Sequence, residues 1–217
     1  MAIDRLGISC RYVSCAELGG DLYDYVEIAP GRVALLVADV MGHGVSAAML
    51  TGVVKSAFRA SSPEGYEPRA MVHRLWSNMD AFGSERFVTL IAAIVSVGDR
   101  RVDYVNAGHP AGLLFTPNRD VRRLSSTGPL VSCALRTSTW EQQTVTYEPG
   151  DLFFLYTDGV SAALAGDDDC EEEAVIGLVR QHSGDASVVD SVLDRAREAL
   201  AARPHADDLT LMSVVRR

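Results

Sequence analysis

Three apolar segments of this sequence each meet aspartate at one end. They read "VALLVADVMGHG" (33–44), "LFFLYTDG" (152–159) and "HADDLTLMSVV" (205–215). An isolated carboxylate is prohibitively costly to bury inside a strand. We therefore expect each aspartate at the rim of a sheet, where it meets water, a cation or a hydrogen-bond donor.

The candidate residues are aspartates at or beside the ends of such segments: Asp21, Asp39, Asp158, Asp207 and Asp208. If these rims coincide in space, negative charges converge, and a divalent cation is the usual way to offset their repulsion. Oxygen ligands without a Cys-x-x-Cys or paired-histidine motif favour Mg²⁺ or Mn²⁺ over Zn²⁺. Two such ions about 3.5–4 Å apart can activate water and neutralise phosphoryl oxygens. The alternative stays open at this point, because Asp-Gly is a common turn and aspartate before a strand is a common cap.

The elements that must position these aspartates cluster along the chain instead of alternating one for one. Apolar residues at helical spacing predict helices at 45–60, 69–82, 171–183 and 186–203. The segments "RFVTLIAAIVSV" and "RVDYVNAG" flank a short turn and predict a hairpin, and "DLTLMSVVRR" predicts a final strand. This order favours an α+β fold with antiparallel sheets over a doubly wound parallel sheet.

Composition excludes several classes of protein. The formal net charge is −9, which disfavours nucleic acid as a partner because phosphate backbones need clustered positive charge. No apolar run approaches the roughly 18 residues that cross a bilayer, so no membrane association is expected. The N-terminus is not typical of a secretory signal. The four cysteines are scattered, which indicates reduced thiols and a cytoplasmic protein. The acidic run "GDDDCEEE" (166–173) predicts an exposed loop that leads into a helix, with a metal or regulatory site as the alternative.

Six motifs occur in order from about Glu17 to the C-terminus: "GGDLYD", "ADVMGHG", "FVTL", "VNAGHP", "LYTDGV" and "ADDLTL". Together they resemble the bacterial SpoIIE-type (RsbU-like) serine phosphatases, a branch of the metal-dependent PPM (type 2C) protein phosphatase superfamily. The resemblance implies a four-layer α-β-β-α sandwich of two antiparallel sheets flanked by helices. It also implies that residues 1–217 form a single phosphatase domain with two Mn²⁺ or Mg²⁺ ions at one end of the sandwich.

The resemblance assigns roles to individual residues of the motifs. Asp39 would bridge both ions, and Asp21, Asp158, Asp207 and the backbone carbonyl of Val40 would complete the ligands. Asp208 would support a ligand from behind, and Asn106 and His109 would form hydrogen bonds near the floor of the site. His43 would act as a general acid. Alternatively, His43 would shape the turn and cap the next helix. Arg11 and Arg86 are candidates for binding the phosphate, and Asp24 is expected at the rim.

The resemblance further implies a function. The substrate would be phosphoserine on a STAS-type anti-anti-sigma factor, whose dephosphorylation releases a sigma factor in a partner-switching pathway, often in a stress response. A regulatory protein or an upstream sensor would control the enzyme. Two alternatives remain at this stage. One is a phosphomonoesterase that acts on non-protein substrates, and the other is a binding module that keeps the fold without activity.

Overall fold

Two antiparallel sheets organise the chain. The computed structural model describes residues 2–3, 6–42, 44–60, 66–165, 170–182, 187–202 and 207–216. Within these residues the six-stranded sheet has the order β1 (Ala2–Ile3), β2 (Leu6–Val13), β11 (Leu209–Arg216), β10 (Leu152–Tyr156), β7 (Gly112–Phe115) and β8 (Val121–Leu124). The five-stranded sheet has the order β3 (Asp21–Ala29), β4 (Arg32–Val40), β5 (Val88–Ser96), β6 (Arg101–Ala107) and β9 (Gln143–Thr146).

Helices cover the outer face of each sheet. Those described are α1 (Val45–Ala60), α2 (Pro68–Asn78), α3 (Asp158–Leu164), α4 (Glu171–His182) and α5 (Val188–Ala202). The helices α1 and α2 pack on the five-stranded sheet, and α3, α4 and α5 pack on the six-stranded sheet. This is the predicted four-layer sandwich. In the described residues, no helix is both long and apolar enough to cross a bilayer.

Strand β4 lies in a sheet whose two faces are both buried. Successive side chains of a strand point to opposite faces of the sheet. Val33, Leu35 and Val37 accordingly face the six-stranded sheet in the central core layer. Their neighbours Ala34 and Leu36 pack against α1 and α2. Because both faces are covered, the strand is apolar from Val33 to Ala38, and Asp39 is the first polar residue after that run.

The predicted elements are present, with two differences. The second helix ends at Asn78, and a short 3-10 helix, Met79–Phe82, continues it. Helix α3 was not predicted, because seven residues that begin with Asp-Gly are too few to show a helical period. Of the acidic run, 166–169 lie outside the described residues, whereas Glu172 and Glu173 lie in the first turn of α4 and pair with Arg123.

Candidate active site

The five-stranded sheet contributes two of the predicted aspartates at one end of the sandwich. Asp21 begins β3 and lies directly opposite Asp39 near the end of β4. Asp39 in turn lies opposite Thr89 of β5. Asp39 lies two residues after Val37, so both side chains point to the same face of the strand, towards the six-stranded sheet. Both carboxylates therefore lie at the open end of the gap between the sheets.

The six-stranded sheet contributes the other three aspartates at the same end. Strands β10 and β11 are antiparallel neighbours, so Asp158, just after β10, lies beside Asp207 and Asp208, just before β11. Gly159 permits this approach, since a Cβ there would lie 2.2 Å from the Asp208 carbonyl oxygen. We call Asp21, Asp39, Asp158, Asp207 and Asp208 the acidic site.

The electrostatics of these residues indicate mutual repulsion. Burial raises the pKa of Asp39 to about 7, and the charges of Asp158, Asp207 and Asp208 add to the shift. Burial also raises the pKa of Asp21 to about 8, against the effect of two hydroxyl groups that donate to it. Desolvation and the charge of Asp207 raise the pKa of Asp158. The folded chain thus holds these groups ionised at neutral pH only at a cost, which a bound cation would remove.

The carboxylate oxygens that remain free suit a hard divalent cation. Among the described residues, no donor hydrogen-bonds to the half-buried Asp39 carboxylate, and Asp21 uses only its Oδ2 atom. In the same part of the chain, no three Asp, Glu, His or Cys side chains lie close enough together to enclose one ion. An ion here would therefore keep water among its ligands, as Mg²⁺ commonly does with one or two carboxylates. The donor set fits Mg²⁺ or Mn²⁺ on this basis.

The Val40 carbonyl lies at a tight backbone crossing beside the acidic site. The Val40 N–H donates to the Gly20 carbonyl oxygen at 3.1 Å. A Cβ on Gly20 would lie 2.3 Å from the Val40 oxygen and 2.7 Å from the Gly42 oxygen. Only glycine fits at position 20, so the two motifs "GGDLYD" and "ADVMGHG" are joined through their backbones.

Asp208 anchors the segment that precedes β3. Its Oδ1 atom accepts the Cys15 N–H at 2.9 Å, and its Oδ2 atom accepts the Asp21 N–H at 3.1 Å. Burial acts to raise the pKa of Asp208, but these backbone donors outweigh it and the net shift is downward. Asp208 is thus held ionised and positions the Asp21 backbone. Its support of a metal ligand stays a prediction.

Asn106 and His109 form a hydrogen-bonded group beside Thr89, the residue opposite Asp39. Asn106 donates to the carbonyl oxygens of Pro110 and Leu124, each at 3.2 Å, and accepts the His109 N–H at 2.9 Å. The His109 Nδ1 atom lies 2.9 Å from the Thr89 hydroxyl, which belongs to the residue opposite Asp39. Burial lowers the pKa of His109 to about 3, so its ring is neutral at physiological pH.

Other predicted residues lie elsewhere. Arg11 points to the outer face of the six-stranded sheet, where its guanidinium pairs with Asp190 of α5 at 2.7 Å. The prediction that Arg11 binds phosphate is therefore wrong. Asp24 is also not at the rim: it is buried against α1 and pairs with Arg59. Strand register decides both placements, because it selects the face on which each side chain emerges.

Two further predicted residues are Arg86, which precedes β5, and His43. Arg86 is half-buried and donates from Nη1 to the Met41 carbonyl oxygen at 3.2 Å. Its guanidinium therefore borders the loop that follows Asp39. His43 lies outside the described residues, so its role as general acid or turn residue stays a prediction.

Two residues that contact the acidic site were not predicted, Thr157 and Thr210. Both hydroxyl groups donate to Asp21 Oδ2. A signal was available, since each threonine lies within three residues of a predicted ligand, in "YTDG" and "ADDLT". Thr157 lies two residues after Leu155, and Thr210 lies two residues before Met212. Both threonines therefore face the gap between the sheets, as Leu155 and Met212 do.

The raised pKa values predict how metal-free stability depends on pH. From pH 6.5 to 8, the folded state retains protons on Asp21 and Asp39 that the unfolded chain has already released. The free energy of unfolding in EDTA should therefore fall as pH rises through this range. His109 acts in the opposite direction only below about pH 6.5, where the unfolded chain takes up its proton. Thermal unfolding at several pH values measures the slope, and a flat or rising profile would contradict the assignment.

Comparison with known proteins identifies relatives. The family model for stage II sporulation protein E (SpoIIE) matches residues 29–217. Phosphoserine phosphatase RsbP of Bacillus subtilis (strain 168) is 30% identical over 164 residues, which cover 72% of this chain and 40% of RsbP. The chain thus spans less than half the length of that relative.

Solved structures share the fold at lower identity. The RsbU and RsbW domains of Rv1364c from Mycobacterium tuberculosis superpose with a TM-score of 0.84 and 24% identity, over 99% of this chain and 61% of that chain. The catalytic domain of the serine/threonine protein phosphatase PstP, in complex with two manganese ions, gives a TM-score of 0.70 and 15% identity over 97% of both chains. These likenesses agree with the sandwich of two antiparallel sheets flanked by helices.

Proposed function

Because the chain belongs to the SpoIIE family, we propose that it is a metal-dependent protein phosphatase that hydrolyses phosphoserine. One observation carries the proposal. Both sheets direct aspartates to the same end of the sandwich, where Asp21 and Asp39 lie opposite each other and the charges of Asp158 and Asp207 raise the pKa of Asp39. The whole chain would serve as one phosphatase domain.

The ligands in this proposal are the carboxylates of Asp21, Asp39, Asp158 and Asp207 and the carbonyl of Val40. Asp39 has the central place, because it interacts electrostatically with aspartates of both sheets and has no competing donor in the described part of the chain. When bound, two Mn²⁺ or Mg²⁺ ions would lower the pKa of water and neutralise the phosphoryl oxygens.

The remaining residues hold this arrangement and the substrate. Asp208 keeps Asp21 in place through backbone N–H groups, and Asn106 fixes the loop that carries His109. Arg86 donates one hydrogen bond, from Nη1, to the Met41 carbonyl oxygen. Its other donors suit a phosphoryl oxygen, since guanidinium groups bind phosphate through several hydrogen bonds. We therefore retain Arg86, and not Arg11, as the candidate for contact with the phosphate.

The proposed substrate is a phosphorylated regulatory protein. RsbP is named a phosphoserine phosphatase, and Rv1364c contains RsbU and RsbW domains. The name of RsbP supports phosphoserine as the group that is hydrolysed. We propose that this phosphoserine lies on a STAS-type anti-anti-sigma factor, in a cytoplasmic partner-switching pathway that serves a stress response. A second protein or an upstream sensor would then regulate the activity.

The test uses the chain with a phosphorylated STAS protein and with p-nitrophenyl phosphate. We expect turnover in Mn²⁺, loss to background in EDTA and recovery when Mn²⁺ is returned. We expect the value of kcat/KM to be at least about tenfold higher for the protein, because contacts away from the phosphate contribute binding energy. Equal or better turnover of the small ester would favour the non-protein phosphomonoesterase. Manganese binding without turnover of either substrate would favour the inactive binding module.

A further inference from the structure

The Asp21 carboxylate is held by two threonine hydroxyls. Thr157 Oγ1 and Thr210 Oγ1 each lie 2.7 Å from the same atom, Asp21 Oδ2. Both threonines are fully buried, and Asp21 is 7% exposed. Among the described residues no donor reaches Oδ1, so the two oxygens of this carboxylate have different environments.

The direction of these hydrogen bonds follows from the neighbouring backbone. Thr157 Oγ1 also accepts the Thr210 N–H at 3.1 Å, so its own proton is free to be donated to Asp21. The Thr210 hydroxyl donates to the same carboxylate oxygen. Two donors on one oxygen suit an ionised carboxylate and saturate Oδ2. Oδ1 then remains as the oxygen available to a cation.

These bonds connect the two sheets. Asp21 belongs to β3 of the five-stranded sheet, whereas Thr210 belongs to β11 and Thr157 follows β10 in the six-stranded sheet. Asp39 lies on the side of the five-stranded sheet, and Asp158 lies on the side of the six-stranded sheet. The threonines therefore set the position of Asp21 relative to both halves of the acidic site.

We propose that Thr157 and Thr210 are positioning residues that lock Oδ2 of Asp21 and present Oδ1 to a divalent cation. The inference rests on the proposed function. Groups that orient a metal ligand from behind commonly change metal affinity by about 10- to 100-fold when they are removed. A purely structural pair of hydrogen bonds would change stability and leave metal affinity unaltered.

The decisive variant is Thr210→Val, because the Thr210 hydroxyl serves only Asp21 while its backbone N–H keeps its partner. We expect its calorimetric affinity for Mn²⁺ to fall about tenfold, and that of the Thr157→Val/Thr210→Val double variant to fall about 100-fold. Thr210→Ser restores the hydroxyl and should restore the affinity. Metal-free thermal unfolding shows that each variant is folded at the temperature of titration.

A matched control is Thr144→Val at the far edge of the five-stranded sheet. The Thr144 hydroxyl donates to Asp103 Oδ1 at 2.6 Å, the same kind of bond outside the acidic site. We expect the control to leave Mn²⁺ affinity unchanged. Wild-type affinity in Thr210→Val, or a loss that serine does not restore, would overturn the inference while the proposed function stands. Absence of Mn²⁺ binding by the wild-type chain would instead overturn the proposed function, and the inference with it.

Discussion

The Asp39→Asn variant is expected to lose phosphatase activity and to bind Mn²⁺ far more weakly than the wild type. Asparagine has nearly the same shape but cannot supply the central negative charge between aspartates of the two sheets. Metal ions supply several kcal/mol of transition-state stabilisation. A loss of that size lowers kcat/KM by about a thousandfold or more. Initial rates with the phosphoprotein and calorimetric titration with Mn²⁺ measure the two effects.

The same variant should be more stable than the wild type when metal is absent. Burial and the charges of Asp158, Asp207 and Asp208 disfavour ionised Asp39, and a neutral amide removes that cost at pH 8. Higher melting temperature in EDTA together with lost activity would distinguish a functional carboxylate from a structural one. Wild-type turnover by Asp39→Asn would contradict the proposed function.

Asp103→Asn is a control in which the replaced carboxylate stabilises the fold and does not belong to the acidic site. Asp103 is buried in β6, beside the edge strand β9, and accepts hydrogen bonds from Arg101 at 2.9 Å and Thr144 at 2.6 Å. Its replacement should lower stability, because hydrogen bonds to charged groups contribute about 1.5–3 kcal/mol each. Manganese affinity and kcat should not change. The two variants together separate stability from metal binding.

The second large effect concerns the adjacent pair Asp207 and Asp208. Asp207 is exposed, and its Oδ1 atom accepts the Asp208 N–H at 2.9 Å, whereas Asp208 is buried and receives the N–H groups of Cys15 and Asp21. We expect Asp207→Asn to reduce Mn²⁺ affinity and kcat with little loss of stability. Its role is to supply charge at the acidic site.

Asp208→Asn should instead destabilise the protein. Weakening charge-assisted hydrogen bonds costs about 2 kcal/mol, which lowers the melting temperature by about 4–8 °C in a chain of this size. Activity should fall as well, because Asp21 loses the bond that holds its backbone. Thermal unfolding in EDTA and Mn²⁺ titration of both variants make the comparison. If Asp207→Asn were the less stable variant and Asp208→Asn retained full stability, the division of roles would be wrong.

Sequence patterns were sufficient to predict most of the fold. Helices α1, α4 and α5 follow from apolar residues at helical spacing, and β5 with β6 from two apolar runs around a short turn. These signals are local, since each element must bury one stripe or face wherever it lies in the molecule. Helix α3 escaped prediction because it is shorter than the window in which such a period can be seen.

The aspartates of the site were also predictable one by one. A carboxylate at the end of an apolar strand must lie at a rim, and this holds for Asp39 and Asp158 whatever the topology. Arg11 shows the limit of that reasoning. Nothing local to Arg11 indicates that α5 lies against its face of the sheet and supplies Asp190 as its partner.

What the sequence by itself determined is thus the type of each element and the presence of acidic residues at strand ends, because hydrophobic periodicity and the cost of burying charge act locally. Only the tertiary structure decided which ends meet, which face each side chain takes and which hydroxyls hold Asp21. Strand register and sheet packing select those contacts between residues far apart in the chain. Thr157 and Asp21, separated by 136 positions, become hydrogen-bonded neighbours only when the two sheets close on each other.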